Sequence, residues 1–259
     1  MKISLLIGSI ALVLLSSCNM QQKMARKFVE RSDKAQVAVY FPEKAVTKSL
    51  REAQDGAGAC VLDSLNQEVF INIMYGAYAS MLKDYGLNLY QPEDPNDVQV
   101  DSTHWLVVCS HIEIQEKVTG YEDYVPVDGE SYGYVFPLNT VNVASWFDLN
   151  DGSWSPTLFY EHNLIDAFDS DVSFSFWLGS TDYSYYIDTL VVGDVYHYAV
   201  FLGKLYAGYT YDYLMNKYVG EQLKQQNREL SRSMRYDPYR KQVIYSEEDE
   251  DCFIELKEE

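Results

Sequence analysis

The order of apolar patterns along the chain predicts an α+β fold, a two-layer sandwich of a mainly antiparallel sheet with two long helices. Three observations carry this expectation. Gln36 to Phe41 alternates as a strand and stops at Pro42. Two long stretches, near Ser64 and near Val195, place apolar residues at helical spacing. Between them lie segments that read as strands, separated by Asp, Asn and Gly turn signals.

Residues 43–60 are polar, contain Gly56 and Gly58, and read as a loop. Ser64-Leu65-Asn66-Gln67 matches a capping box, in which serine and glutamine side chains satisfy free backbone N–H groups. The first helix runs from there to about Tyr85, with Gly86 as its stop. Leu62, Leu65, Val69, Ile73 and Ala77 share one face, and Phe70, Met74, Tyr78 and Met81 widen the stripe, so the helix is covered on more than one side. Gln91 to Ser102 is a turn region with two prolines. Trp105 to Val118 is a long strand, and Tyr121 to Tyr134 is an acidic, tyrosine-bearing excursion or hairpin tip. Thr140 to Leu149 is a strand closed by the Asn150-Asp151-Gly152 turn. Val172–Trp177 and Tyr185–Val192 are two more strands.

The second helix spans about Val195 to Gln225. Ala199, Gly203 and Ala207 fall four apart on it and make a smooth ridge against which a partner backbone can pack. Past Asn227 the chain is polar. Val243-Ile244-Tyr245 offers an edge strand, and the acidic run Glu247 to Asp251 repels itself and stays solvated.

The N-terminus carries a different kind of signal. Lys2 is followed by 13 residues, Ile3 to Leu15, that are almost wholly apolar, then by Ser16-Ser17-Cys18. A membrane span needs about 20 such residues. A charged start, an apolar core and small residues make a secretory leader. Leu15-Ser16-Ser17-Cys18 resembles the lipobox of bacterial lipoproteins. The resemblance implies removal of residues 1–17 and acylation of Cys18, and two or more acyl chains anchor stably. Residues 18–35 then form a polar tether reaching at most about 60 Å, residues 36–227 a single domain, and residues 228–259 a polar, acidic tail. Asn19-Met20-Gln21-Gln22 lacks the aspartate that retains enterobacterial lipoproteins at the inner membrane, and the acidic cluster that resembles a surface-export signal in Bacteroidota. By that resemblance the protein faces the periplasm from the outer membrane. The lipobox, acidity and tyrosine richness are similar to those of Bacteroidota lipoproteins.

Cleavage before Cys18 removes one lysine and no acid, leaving 19 Lys and Arg against 39 Asp and Glu, a net charge of −20. Such acidity argues against nucleic acid, whose affinity depends on cations meeting phosphates, and against broad contact with anionic lipid. Beyond Cys18 the cysteines are Cys60, Cys109 and Cys252. Export permits a Cys60–Cys109 bridge, but Cys109 sits in a core-like strand, and two unbridged thiols are the preferred reading.

Signs of catalysis are sparse. His111 and Glu113 share a strand face without a third ligand. His104, His162 and His197 have no mutual zinc spacing, so no metal site and no cofactor are expected. Asp148 to Gly152 is one residue out of EF-hand register. The tripeptides beginning at Asp63, Asp101 and Asp188 resemble the Bacteroidota O-glycosylation pattern, and Ser102 is the candidate acceptor because it lies in a loop. Three function classes follow. The first is a non-catalytic accessory lipoprotein that binds a partner protein. The second is a glycan- or peptide-binding module using its aromatics, for which a groove combining aromatic rings with a carboxylate would speak. The third is a hydrolase.

Overall fold

The structure, a computed structural model, describes residues 20–32, 35–51, 58–100, 104–127, 130–150, 157–175, 180–246 and 254–256. The fold is α+β. The expected count of two helices and the mainly antiparallel sheet are both corrected: three α-helices and a mixed seven-stranded sheet are found among the described residues.

Strands β1 (Gln36–Tyr40), β2 (Val46–Ser49), β3 (Asn88–Tyr90), β4 (His104–Val127), β5 (Glu130–Asn150), β6 (Thr157–Ile165) and β11 (Ile254–Leu256) form this sheet in the order β11-β6-β5-β4-β1-β3, with β2 also on β4. β1 runs parallel to β3 and β4, and β2 parallel to β4. The parallel pairs have a simple cause. The chain leaves β1 and returns through helix α2 (Gln67–Asp84), and a crossover of that length brings a strand back parallel.

Of Tyr121 to Tyr134, expected as an excursion or hairpin tip, the described residues stay in the sheet: Tyr121–Val127 pairs with Glu130–Phe136. β4 and β5 pair from Leu106/Asn150 to Val127/Glu130, interrupted by one bulge between Cys109 and His111. At about 3.3 Å per residue the 24-residue β4 is roughly 75 Å long. β7 (Ala167–Ser175) and β8 (Ser180–Asp188) form a separate hairpin.

Helix α2 is capped two residues later than its sequence suggests. Ser64 closes a 3-10 turn, and Asn66 Oδ1 accepts from the N–H groups of Glu68 and Val69 at 3.0 and 3.1 Å. Gly86 does end the helix, at φ 85°, where Gly86 N and Leu87 N donate back to the carbonyls of Lys83 and Leu82. Helix α3 (Val192–Lys224) is 33 residues long, about 50 Å. Its Asp194 carboxylate accepts from Val191 N at its start.

The ridge of α3 faces α2. Ala199, Gly203 and Ala207 are buried, and a methyl group at Gly203 would overlap the Met74 carbonyl oxygen. Tyr78 of α2 and Thr210 of α3 share a hydrogen bond of 3.0 Å. Both helices press on β5: the Tyr206 ring stacks on Phe147 at 3.7 Å while its hydroxyl donates to Ser145 O. Part of the tyrosine excess is therefore core. Tyr78, Tyr206 and Tyr211 are fully buried, each with a hydroxyl partner.

Two segments expected to be solvated are folded onto this body. Residues 20–29, within the expected tether, form helix α1. Its Gln21, Ala25 and Phe28 are buried, and Phe28 packs on Trp105, Tyr211 and Tyr218. The sequence hides this because the buried face is short and includes Gln21, while Lys23, Arg26 and Lys27 line the rest of the helix. In the expected tail, β9 (Met234–Asp237) and β10 (Gln242–Tyr245) form a hairpin docked on α3, where Asn216 bridges to both the N–H and C=O of Met234. β11 pairs with the edge of β6. Glu247 to Asp251 lie outside the described residues.

Candidate interaction surface

The remaining strands of the sheet stop part-way along the β4–β5 hairpin. β2 ends opposite Glu116, and β6 ends opposite Thr140. Beyond that line, residues 118–127 and 130–139 continue as a two-stranded arm.

Buried carboxylates hold the root of the arm. Glu116 is fully buried and accepts from Val61 N (3.0 Å), Leu62 N (2.9 Å), Cys60 Sγ (2.9 Å), Asn139 Nδ2 (2.7 Å) and Arg51 (3.3 Å). Burial alone would raise its pKa, but the hydrogen bonds from Cys60, Leu62, Val61 and Asn139 outweigh it and hold the carboxyl below the usual glutamate value. Asn139 N in turn donates to Asp166 Oδ2 at 2.7 Å, and Leu190 N donates to Asp166 Oδ1 at 2.7 Å. Asp166 sits between β6 and β7, and Leu190 follows β8. One carboxylate thus ties both ends of the β7–β8 hairpin to β5.

The hairpin lies on one face of the arm through an aromatic stack. Phe136 meets Phe168 at 4.8 Å and Tyr185 at 4.5 Å, Tyr134 stacks on Tyr183 at 4.9 Å, and the Tyr183 hydroxyl donates to Asp123. A two-stranded hairpin is marginal alone, and this stack supplies its missing layer. The other surfaces are open. On the arm, Tyr124 covers Gly133 and Val135 covers Gly120, and these two side chains are 61% and 68% exposed. On the outer face of the hairpin, Tyr186, 66% exposed, is paired across the strands with Asp169, and Asp171, Asp182 and Asp188 share its face.

Charge sets this region apart. No Lys or Arg occurs between Lys117 and Lys204, whereas the same 86 residues hold 13 Asp and Glu. Large exposed rings on a stiff scaffold are what interfaces concentrate, and uncompensated carboxylates among them select a cationic counterpart. Two sequence signals for the arm exist, the Asp128-Gly129 hairpin dipeptide and the run without cations.

Other candidates resolve differently. His111 Nε2 stands 4.0 Å from Glu113 Oε2 and packs on Trp146, while Gln115 donates to Glu113. His162 stacks on Tyr198. No group of three or more metal-capable side chains occurs among the described residues. Cys60 and Cys109 are unbridged. Burial, then the Glu116 hydrogen bond, pushes the Cys60 thiol up, the opposite of what activates a nucleophile. The partner-packing candidates Ala199, Gly203 and Ala207 are used up inside the chain, against α2. Cys18 and Ser102 lie outside the described residues.

A second concave feature lies where α3 meets the β9–β10 hairpin. This groove of about 300 Å³ is lined by Tyr85, Tyr209, Asp212, Arg235 and Tyr236 among others. Burial raises Asp212 to a pKa of about 7, against the hydrogen bond it accepts from Tyr236 N and the charge of Arg235.

No protein-family model matches the chain, and no curated protein matches its sequence significantly. No helix among the described residues is long and apolar enough to cross a membrane.

Proposed function

We propose that the protein is an accessory lipoprotein, anchored through acylated Cys18 in the outer membrane and facing the periplasm, that acts by binding a partner protein through the arm and not by catalysis. The observation that carries the proposal is the exposure of Tyr124 and Val135 on the free face of the arm and of Tyr186 on the outer face of its hairpin, within a stretch, residues 118–203, that holds 13 Asp and Glu and no Lys or Arg. A partner that brings Lys or Arg gains charge pairing and cation–π contact together. The leader and Cys18 supply the address. The test is co-purification from detergent-solubilised membranes. The doubly substituted Tyr124→Ser/Tyr186→Ser protein keeps its melting temperature and loses the partner that the wild type retains. Retention of the same partner by the variant refutes the arm as the contact.

A second reading, a glycan- or peptide-binding module, is favoured by the groove of Tyr85, Tyr209 and Tyr236 around Asp212, which joins aromatic rings to a carboxylate. Asp212→Asn, with soluble glycans or short peptides titrated against tyrosine fluorescence, separates the two.

A further inference from the structure

We infer that the end of the molecule bearing α1 is a seating surface for anionic phospholipid headgroups, which holds the arm away from the bilayer. The inference rests on Cys18 being the acylated residue. Although the chain is acidic, residues 20–32 and 217–246 contain eleven of its 20 Lys and Arg with only four acids. On α1 the buried side is Gln21, Ala25 and Phe28, and Lys23, Lys27 and Arg31 are exposed. Four-residue spacing puts Lys23 and Lys27 in one stripe of α1, and Arg31 follows two residues past its end. The segment after α3 adds to the same end: Arg228 reaches Met20 Sδ at 3.5 Å, and Ser231 Oγ donates to Gln21 Oε1 at 3.0 Å.

Cys18 precedes Met20 by two residues, a reach of about 7 Å at full extension. Acyl chains on Cys18 therefore deliver this cationic end, and no other, to the headgroups. Lipid attachment and a basic patch reinforce one another, because the surface field is felt only within a Debye length of about 8 Å. Phe28 stacks on Trp105, at the first residues of β4. Val127, at the far end of the same strand, lies about 70 Å further along it. The acidic tip is thus outside the field that holds the base.

The test uses the full-length lipidated protein reconstituted in vesicles of phosphatidylcholine alone or with phosphatidylglycerol. Amine acylation is read by mass spectrometry at Lys23 and Lys27, with exposed Lys48 and Lys44 as references. Phosphatidylglycerol lowers labelling of Lys23 and Lys27 by about fivefold, the equivalent of one lysine held at an anionic surface. High salt restores it, and the reference lysines do not change. The triple variant Lys23→Gln/Lys27→Gln/Arg31→Gln, altered only at exposed positions, loses the salt-sensitive preference for phosphatidylglycerol while staying folded and anchored. Equal labelling of Lys23 and Lys27 in both vesicles, on a chain whose N-terminal peptide carries acyl groups, overturns the seating and leaves lipidation standing. An N-terminal peptide without acyl groups overturns the Cys18 reading and the seating with it.

Discussion

Glu116 is the residue on which the arm most depends. It gathers Arg51, the 60–62 turn and Asn139 around one buried carboxylate. Glu116→Ala strands those donors and the guanidinium, a loss of about 3–5 kcal/mol, visible as a lowered urea midpoint. Because its folded pKa is depressed, the stabilising effect of Glu116 is complete above the ordinary glutamate range and is lost as pH falls through the folded value. Asp212 has the opposite sign. With a folded pKa raised to about 7, the folded chain keeps a proton that the unfolded chain has released from about pH 4 upward. Its contribution therefore weakens as pH rises from about 4 to 7. Asp212→Asn should flatten that slope in melting temperatures measured across the range. Gly203→Ala adds a methyl where the Met74 carbonyl already stands. Overpacking of this kind costs about 1–3 kcal/mol, which exceeds the gain of up to about 1 kcal/mol in helix propensity, so calorimetry should show a lower melting temperature. The four-residue spacing of Ala199, Gly203 and Ala207 was enough to mark the ridge in the sequence, since small size is a property of the residue itself. That the ridge meets α2 and not another protein was not legible, because spacing does not name a partner.

At the level of elements, the β7–β8 hairpin is joined to the arm by Asp166 at its ends and by the Phe136 stack along its face. Asp166→Ala should raise amide hydrogen exchange across residues 167–188 while exchange in α2 and α3 stays unchanged. Equal exchange in both proteins would mean that the aromatic stack alone holds the hairpin. Elements with a strong period were legible: β1, the body of α2, and α3 to within a few residues. β2 and β3 were missed because they are four and three residues long and take their register from β4 and β1. For the outer half of the arm the sequence leaves an excursion and a hairpin tip both open, because Glu122, Asp123 and Glu130 look like loop chemistry. One face of the arm is wet, so polarity there loses its meaning as a loop signal. α1 was misread for the converse reason: its basic exposed face outweighs a short buried one.

Across the whole molecule, net charge conceals an opposition. The −19 of the chain averages a cationic end around α1 with a cation-free stretch that begins at the root of the arm. Composition argues against nucleic acid for the protein as a whole but does not show that the two charge types stand at opposite ends of β4, because the packing of Phe28 on Trp105 places α1 there. The proposed contact surface is the arm with its hairpin, and the proposed partner is a cationic protein. The test is made in intact cells, with a photo-crosslinking amino acid placed at Tyr186 on the outer face of the β7–β8 hairpin or at Tyr124 of the arm, or at exposed Val69 of α2 as the body control. One dominant protein adduct, joined through a Lys- or Arg-rich segment, is expected from both the hairpin and the arm position. The adduct is absent from position 69 and is lost when Asp169→Asn, Asp171→Asn and Asp182→Asn are combined. An adduct that forms equally from position 69, or that survives neutralisation of the three aspartates, would contradict it.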